Sequence, residues 1–221
     1  MIAVIDYGRG NMFSVAQALR HLGIGFESVS EPARLAGASS VVLPGVGAFG
    51  DAMAALRERG LVDPIRDCAH RGVPILGICL GMQVLADVGE EFGTHQGLGL
   101  VSGTVRRLSP SNDGPDRCRI PNVGWRRVEC RNRQSTYADR IEGMMAYFNH
   151  SYTFEAAEPS AVLASIRING RDVVAAVCRR NVVGFQFHPE KSGPAGLALL
   201  SLFLKLVDSA GDVAAAISAR S

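Results

Sequence analysis

Apolar runs and stretches of helical period take turns along the first half of the chain. Residues 2–6 form an apolar run that ends at Gly8 and Gly10, after which Asn11 is placed to cap a helix running toward Leu22, with Gly23 closing it. Residues 26–30 and 40–43 supply two further short strands. Residues 51–59 and 62–71 carry a 3.6-residue apolar period, and 74–79 is another apolar run. Strands that alternate with helices predict a parallel sheet covered on both faces.

The second half has a different rhythm. Residues 105–108, 125–130, 145–152, 162–168, 172–179 and 182–187 read as closely spaced strands, which are expected to extend the sheet with antiparallel or mixed pairs. Residues 194–207 form a closing helix. The expected architecture is α/β: a three-layer mixed sheet with helices on both faces. One domain over 1–208 is expected, followed by a frayed Ala-, Ser- and Gly-containing C-terminal tail over 209–221. Residues 109–116, with two prolines and a glycine, are the expected exposed loop.

One cysteine stands at a place that strand-helix alternation makes special. In Gly77-Ile-Cys79-Leu-Gly81 it lies where a buried strand gives way to a helix predicted over 82–87. A sharp strand-to-helix turn crowds the backbone around a nucleophile, and glycines two residues away on either side relieve that crowding. The side chain then projects at the carboxyl edge of the sheet, where open α/β folds hold their ligands. The helix start also favours a thiolate. The bland alternative, a small buried hydrophobe, is accepted for Cys68, Cys118, Cys130 and Cys178.

A cysteine nucleophile needs an imidazole, and the imidazole needs a group that fixes its tautomer. His21, His70 and His95 are explained by surface positions. His188 ends the apolar run 182–187 and is followed by Pro189 and Glu190; in an extended segment residues i and i+2 share a side, so Glu190 reaches the ring nitrogen turned away from the thiol. His150 is the competing base, but has no carboxylate within two residues, and is assigned to the pocket lining. Leu43-Pro-Gly-Val-Gly-Ala48 offers a glycine-containing loop after a strand, whose backbone N–H groups, together with that of Leu80, can stabilise an oxyanion.

Composition narrows the classes. Of 221 residues 47% are apolar and 20% charged, and no apolar stretch reaches the roughly 20 residues a membrane span requires. The first residues lack a basic region and reach an acid at Asp6, so no signal peptide is read and a cytoplasmic protein is expected. The five cysteines include no CxxC pair, which argues against a disulfide framework and a zinc site. No nucleotide fingerprint occurs, and no cofactor or metal is expected. A formal net charge of +2 does not suggest nucleic-acid binding, and the arginines at 117, 119, 126, 127 and 131 are read as a solvated strand face or partner surface.

Pro44-Gly-Val-Gly47, Gly77-Ile-Cys-Leu-Gly-Met-Gln83 and Phe187-His-Pro-Glu-Lys-Ser192, in that order, resemble the class I (triad) glutamine amidotransferases. Within that family the chain is similar to the glutaminase subunits of imidazole glycerol phosphate synthase. The resemblance implies a class I glutamine amidotransferase-like (flavodoxin-like) fold, glutamine as substrate, and a heterodimer with a (β/α)8-barrel cyclase of histidine biosynthesis. It implies that Cys79 attacks the glutamine side-chain amide, His188 protonates the departing ammonia, Glu190 orients His188, and Gly47 and Leu80 are the oxyanion donors. Gln83 and the Glu90-Glu91 pair, Glu91 above all, would contact glutamine, while His150, Ser151 and Tyr152 border the pocket. Asn122, Trp125 and Lys191 fall where the family meets its cyclase. The interface motif departs from the usual P-H-M-G-W-N, reading Pro121-Asn-Val-Gly-Trp-Arg126. Paralogues serving bacterial surface-sugar pathways are the second reading, and a cysteine peptidase or a silent binding subunit on the same fold are the readings from other classes.

Overall fold

The computed structural model describes residues 1–109, 120–168 and 170–218, with side chains of the last helix described through Lys205. The loop expected at 109–116 lies outside the described residues except for Ser109, as do Arg117, Cys118 and Arg119. The first-half strands are β1 (Ile2–Ile5), β2 (Glu27–Val29), β3 (Ser40–Gly45) and β4 (Ile75–Cys79), and the helices between them are α1 (Met12–His21), α2 (Phe49–Glu58) and α3 (Val62–His70). Asn11 caps α1, its side chain accepting the N–H of Ser14 at 3.4 Å. A single turn, α4 (Leu80–Gln83), follows β4.

The remaining strands are β5 (Val88–Gly89), β6 (His95–Gln96), β7 (Gly103–Arg107), β8 (Asn122–Arg127), β9 (Glu129–Cys130), β10 (Met145–His150), β11 (Tyr152–Ala156), β12 (Val162–Ile168), β13 (Arg171–Arg179) and β14 (Val182–Phe185). A short helix, α5 (Ala138–Ile141), precedes β10. The closing helix, α6, spans Gly193–Ser218 and so continues past the expected end at 207.

An eight-stranded sheet in the order β2-β1-β3-β4-β14-β13-β12-β9 is the spine. Its first five strands run parallel and the last three are added antiparallel. Alternation along the strands splits the core between its two faces. Val4, Val42 and Leu76 pack with Val15 and Leu19 of α1 and Leu199 and Phe203 of α6. Ala3, Ile5, Val41, Leu43 and Ile75 pack with Met53 and Leu56 of α2 and Ile65 of α3 on the other face. Helices therefore cover both faces, as expected.

The expectation that every second-half strand extends this sheet is corrected. Strands β8 and β10 form their own two-stranded ribbon, and β11-β7-β5-β6 form a separate four-stranded sheet. The physical reason for the ribbon lies in its alternation. Ala146 and Phe148 point into the core, whereas Val123, Trp125 and Met145 are exposed. A strand with one wet face suits a ribbon laid over the core better than the doubly covered interior of the main sheet.

Candidate active site

Cys79 is the last residue of β4, with φ 55° and ψ −110°, one of three described non-glycine residues at positive φ. That conformation is costly for a side-chain-bearing residue and survives only where the surroundings impose it. The glycines make the surrounding close packing possible. A β-carbon built on Gly77 would stand 2.6 Å from the Gly81 carbonyl oxygen, and one on Gly81 would overlap the carbonyl oxygen of Leu43. The elbow predicted from the sequence is present, but the helix behind it is corrected from 82–87 to the single turn α4. With so few aligned peptides the helix dipole contributes little, and support for an anion falls to individual N–H groups.

His188 and Glu190 come together beside that thiol. His188 Nδ1 lies 2.8 Å from Glu190 Oε1, and both side chains are almost wholly buried. Their contact is local, as expected, but not extended: β14 stops at Phe185, and Pro189 begins a 3-10 turn over Pro189–Lys191 that swings Glu190 back under the ring. Donation of Nδ1–H to the carboxylate leaves Nε2 for the thiol. Burial opposes a charge on His188, but hydrogen bonds to Cys79 and Glu190, helped by their charges, win and push its pKa up to about 9. The backbone that carries the ring is held on both sides. The main-chain N–H of His188 donates to the Tyr147 carbonyl at 2.9 Å, and the Ser192 hydroxyl donates to the main-chain carbonyl of His188 at 2.6 Å.

A cavity of about 310 Å³ opens over the thiol. Gly47, Cys79, Leu80, Gln83, Glu91, His150, Ser151, Tyr152 and His188 all line it, so the expected site residues converge from five separate stretches of chain. Glu91 and Glu90 part company: Glu91 faces the cavity and accepts the Phe49 N–H at 2.7 Å, whereas Glu90 is exposed and paired with Arg106. Gln83 donates to the Tyr152 carbonyl at 3.1 Å and to Gln186 Oε1 at 2.9 Å.

His150 is removed from contention as a base by its partners. Its Nδ1 donates to the Tyr152 carbonyl at 2.8 Å, and its Nε2 accepts from Asn122 Nδ2 at 2.8 Å. Burial, chiefly, lowers its pKa to about 4, so the ring stays neutral. Sequence reasoning missed Gln186, fully buried with its amide 3.9 Å from the Cys79 sulfur. A glutamine inside an otherwise apolar strand run was the available signal, because buried amides occur where they have partners. Tyr7, buried near Cys79, was missed as well.

The glycine loop does not present all its N–H groups to the cavity. The Val46 N–H instead donates to the Arg9 carbonyl at 2.7 Å, and Gly47 follows with φ 103° and open space where a side chain would be. On the β8–β10 ribbon, Trp125 is 52% exposed and stacks edge-on against Tyr147, over which Lys191 places its ammonium at 5.9 Å. Asn122 is the exception among the expected surface residues. It is fully buried, bonded to His150 and accepting from Arg126 Nε at 3.1 Å. Among the described residues no cluster of His, Cys, Asp and Glu could hold a metal ion, and no helix is long and apolar enough to cross a membrane.

Comparison with known proteins agrees with this geometry. The family described as "Glutamine amidotransferase class-I" matches residues 3–207. The protein named imidazole glycerol phosphate synthase subunit HisH is 47% identical in Desulfitobacterium hafniense (strain Y51), over 94% of this chain and 95% of that one. The protein of the same name in Bacillus subtilis (strain 168) is 43% identical over 93% of this chain and 96% of its own length. Among solved structures, one described as a glutamine amidotransferase superposes with a TM-score of 0.73 at 21% identity, covering 94% of this chain and all of that one. PurLQS from Thermotoga maritima gives 0.72 at 21% identity over 93% and 98%. At that identity the structures speak for the fold alone. The sequence relatives, together with the matched profile, place the chain among the class I glutamine amidotransferases, in the family of imidazole glycerol phosphate synthase subunit HisH.

Proposed function

We propose that this chain is the glutaminase subunit of imidazole glycerol phosphate synthase, hydrolysing glutamine to glutamate and passing the ammonia to a (β/α)8-barrel cyclase subunit in histidine biosynthesis. The observation that carries the reading is the buried line Cys79–His188–Glu190, whose thiol and imidazole line a cavity of about 310 Å³. The relatives' names favour the histidine pathway over the surface-sugar alternative.

In this reading the Cys79 sulfur attacks the glutamine side-chain carbonyl carbon, and the N–H groups of Leu80 and Gly47 take the oxyanion. The imidazolium of His188 gives its proton to the departing nitrogen, ammonia leaves, and a thioester remains. Water, deprotonated by the now neutral His188, then releases glutamate and restores the thiol. Glu91, at the cavity wall, suits the α-ammonium of glutamine, and Gln83 its polar end.

The partner surface we assign is the outer face of the β8–β10 ribbon, with Trp125, Val123 and Met145 exposed, and Lys191 alongside. The bond from Val46 to the Arg9 carbonyl suggests how docking is coupled to turnover: the strap over 44–47 is held back, and the partner stabilises a form that releases it. One missing oxyanion donor costs about a hundredfold or more in turnover. The test is the glutaminase rate of the purified chain with and without the cyclase and its ligand. A rise of at least about a hundredfold is expected, and equal rates would overturn the switch.

A further inference from the structure

Tyr7 lies two residues beyond β1, in a loop that meets the glycine strap at two places but bonds to it at only one. The Arg9 carbonyl accepts the Val46 N–H at 2.7 Å. The Tyr7 hydroxyl, in contrast, is buried without any hydrogen-bond partner in a residue only 1% exposed. A buried hydroxyl left unpaired is costly, and natural proteins rarely keep one for nothing. Its surroundings say where a partner would come from. A β-carbon built on Gly45 would lie 2.6 Å from this oxygen, 2.8 Å from the Gly81 nitrogen and 2.9 Å from the Leu80 β-carbon. The hydroxyl therefore touches the Cα on which the Gly45–Val46 peptide turns, next to the residues that follow the nucleophile.

We propose that Tyr7 is a positioning residue for turnover: its hydroxyl donates to the Gly45 carbonyl once the strap lets go of Arg9, and so stabilises the turned form. When the Val46 N–H leaves the Arg9 carbonyl, the carbonyl of the same peptide swings the opposite way and loses its former surroundings. A donor at that Cα then satisfies two groups with one bond. Burial first, and the neighbouring Cys79 second, push the Tyr7 pKa up, so the phenol remains a donor at every working pH. In the held-back form the unpaired hydroxyl is a cost; in the turned form it is a gain. Both act in the same direction on the equilibrium between the two.

This inference rests on activation by the cyclase, so wild type and Tyr7→Phe are compared both free and in the cyclase complex. The substitution deletes one oxygen and leaves the ring packing intact. The expected result is a kcat in the complex lowered roughly fivefold, the factor that one net hydrogen bond of about 1 kcal/mol is worth. The glutamine KM should stay as in wild type, the activation ratio should fall by the same factor as kcat, and the free variant should melt at or above the wild-type temperature. Equal activation ratios in an activated wild type and in Tyr7→Phe would overturn this inference alone. So would a parallel fall of free and complexed rates, or a lower melting temperature, either of which gives the hydroxyl a structural bond in the resting form. A wild type that the cyclase does not activate would overturn the docking reading and this one with it.

Discussion

Replacing Glu190 with glutamine keeps the shape of the side chain and removes its charge. The amide oxygen can still accept from His188 Nδ1–H, now at 2.8 Å from the carboxylate, so the ring keeps its orientation. What changes is the preference for a charged ring. The rise of the His188 pKa from 6.5 to about 9 corresponds to roughly 3 kcal/mol, gained against burial by the Cys79 and Glu190 contacts together. Losing the Glu190 contact removes a share of that gain on the order of 1 kcal/mol, roughly fivefold in kcat. The sign of the pH effect follows. His188 acts in its protonated form, so the rate falls as pH rises through its pKa, and without the carboxylate that alkaline limb moves to lower pH. The assay is glutaminase kcat in the cyclase complex across about pH 6 to 10, with circular dichroism to establish folding. His188→Ala should lose more than Glu190→Gln. A folded Glu190→Gln enzyme with wild-type kcat and an unmoved alkaline limb would refute the role given to Glu190.

Two further outcomes are expected. Cys79→Ala should abolish glutamine-dependent synthesis in the complex while leaving synthesis from added ammonium salts intact, because only ammonia production is lost; glutamine-dependent turnover in that variant would remove Cys79 as nucleophile. His150 should make the fold acid-sensitive, since burial lowers its folded-state pKa to about 4 against an ordinary 6.5. A neutral ring favoured by folding contributes stability that is full above about pH 6.5 and is lost as pH falls toward 4, by roughly 3 kcal/mol. Denaturant midpoints measured through that window should fall for the wild type and stay flatter for His150→Gln, and coincident slopes would show that His150 is not the group responsible.

The parts of the site that were legible in the sequence are those encoded by short spacing. Gly77 and Gly81 stand two residues from Cys79, and the need for glycine there is a property of one turn of backbone. Glu190 reaches His188 from two residues away, and the reach was read correctly even though a 3-10 turn, not an extended strand, delivers it. Asn122 shows the opposite case. Its position in the chain pointed to the partner surface, yet residues 28 positions apart close over it, and its side chain serves His150 from inside. Gln186 and Tyr7 escaped notice for the same reason: their meaning comes from groups brought to them across the fold.

By itself, then, the sequence determined the alternation of strands and helices, the split of apolar positions between two faces, and the elbow that carries Cys79. Each of these is set by local backbone preference and side-chain period, which a chain carries before it folds. Only the tertiary structure decided which second-half strands joined the main sheet and which formed the ribbon and the smaller sheet. It alone set the His188 pKa, the neutrality of His150, the division of labour between Glu90 and Glu91, and the bond that holds the Val46 N–H away from the cavity. Those properties depend on burial and on partners distant in sequence, and neither exists until the sheet has closed around them.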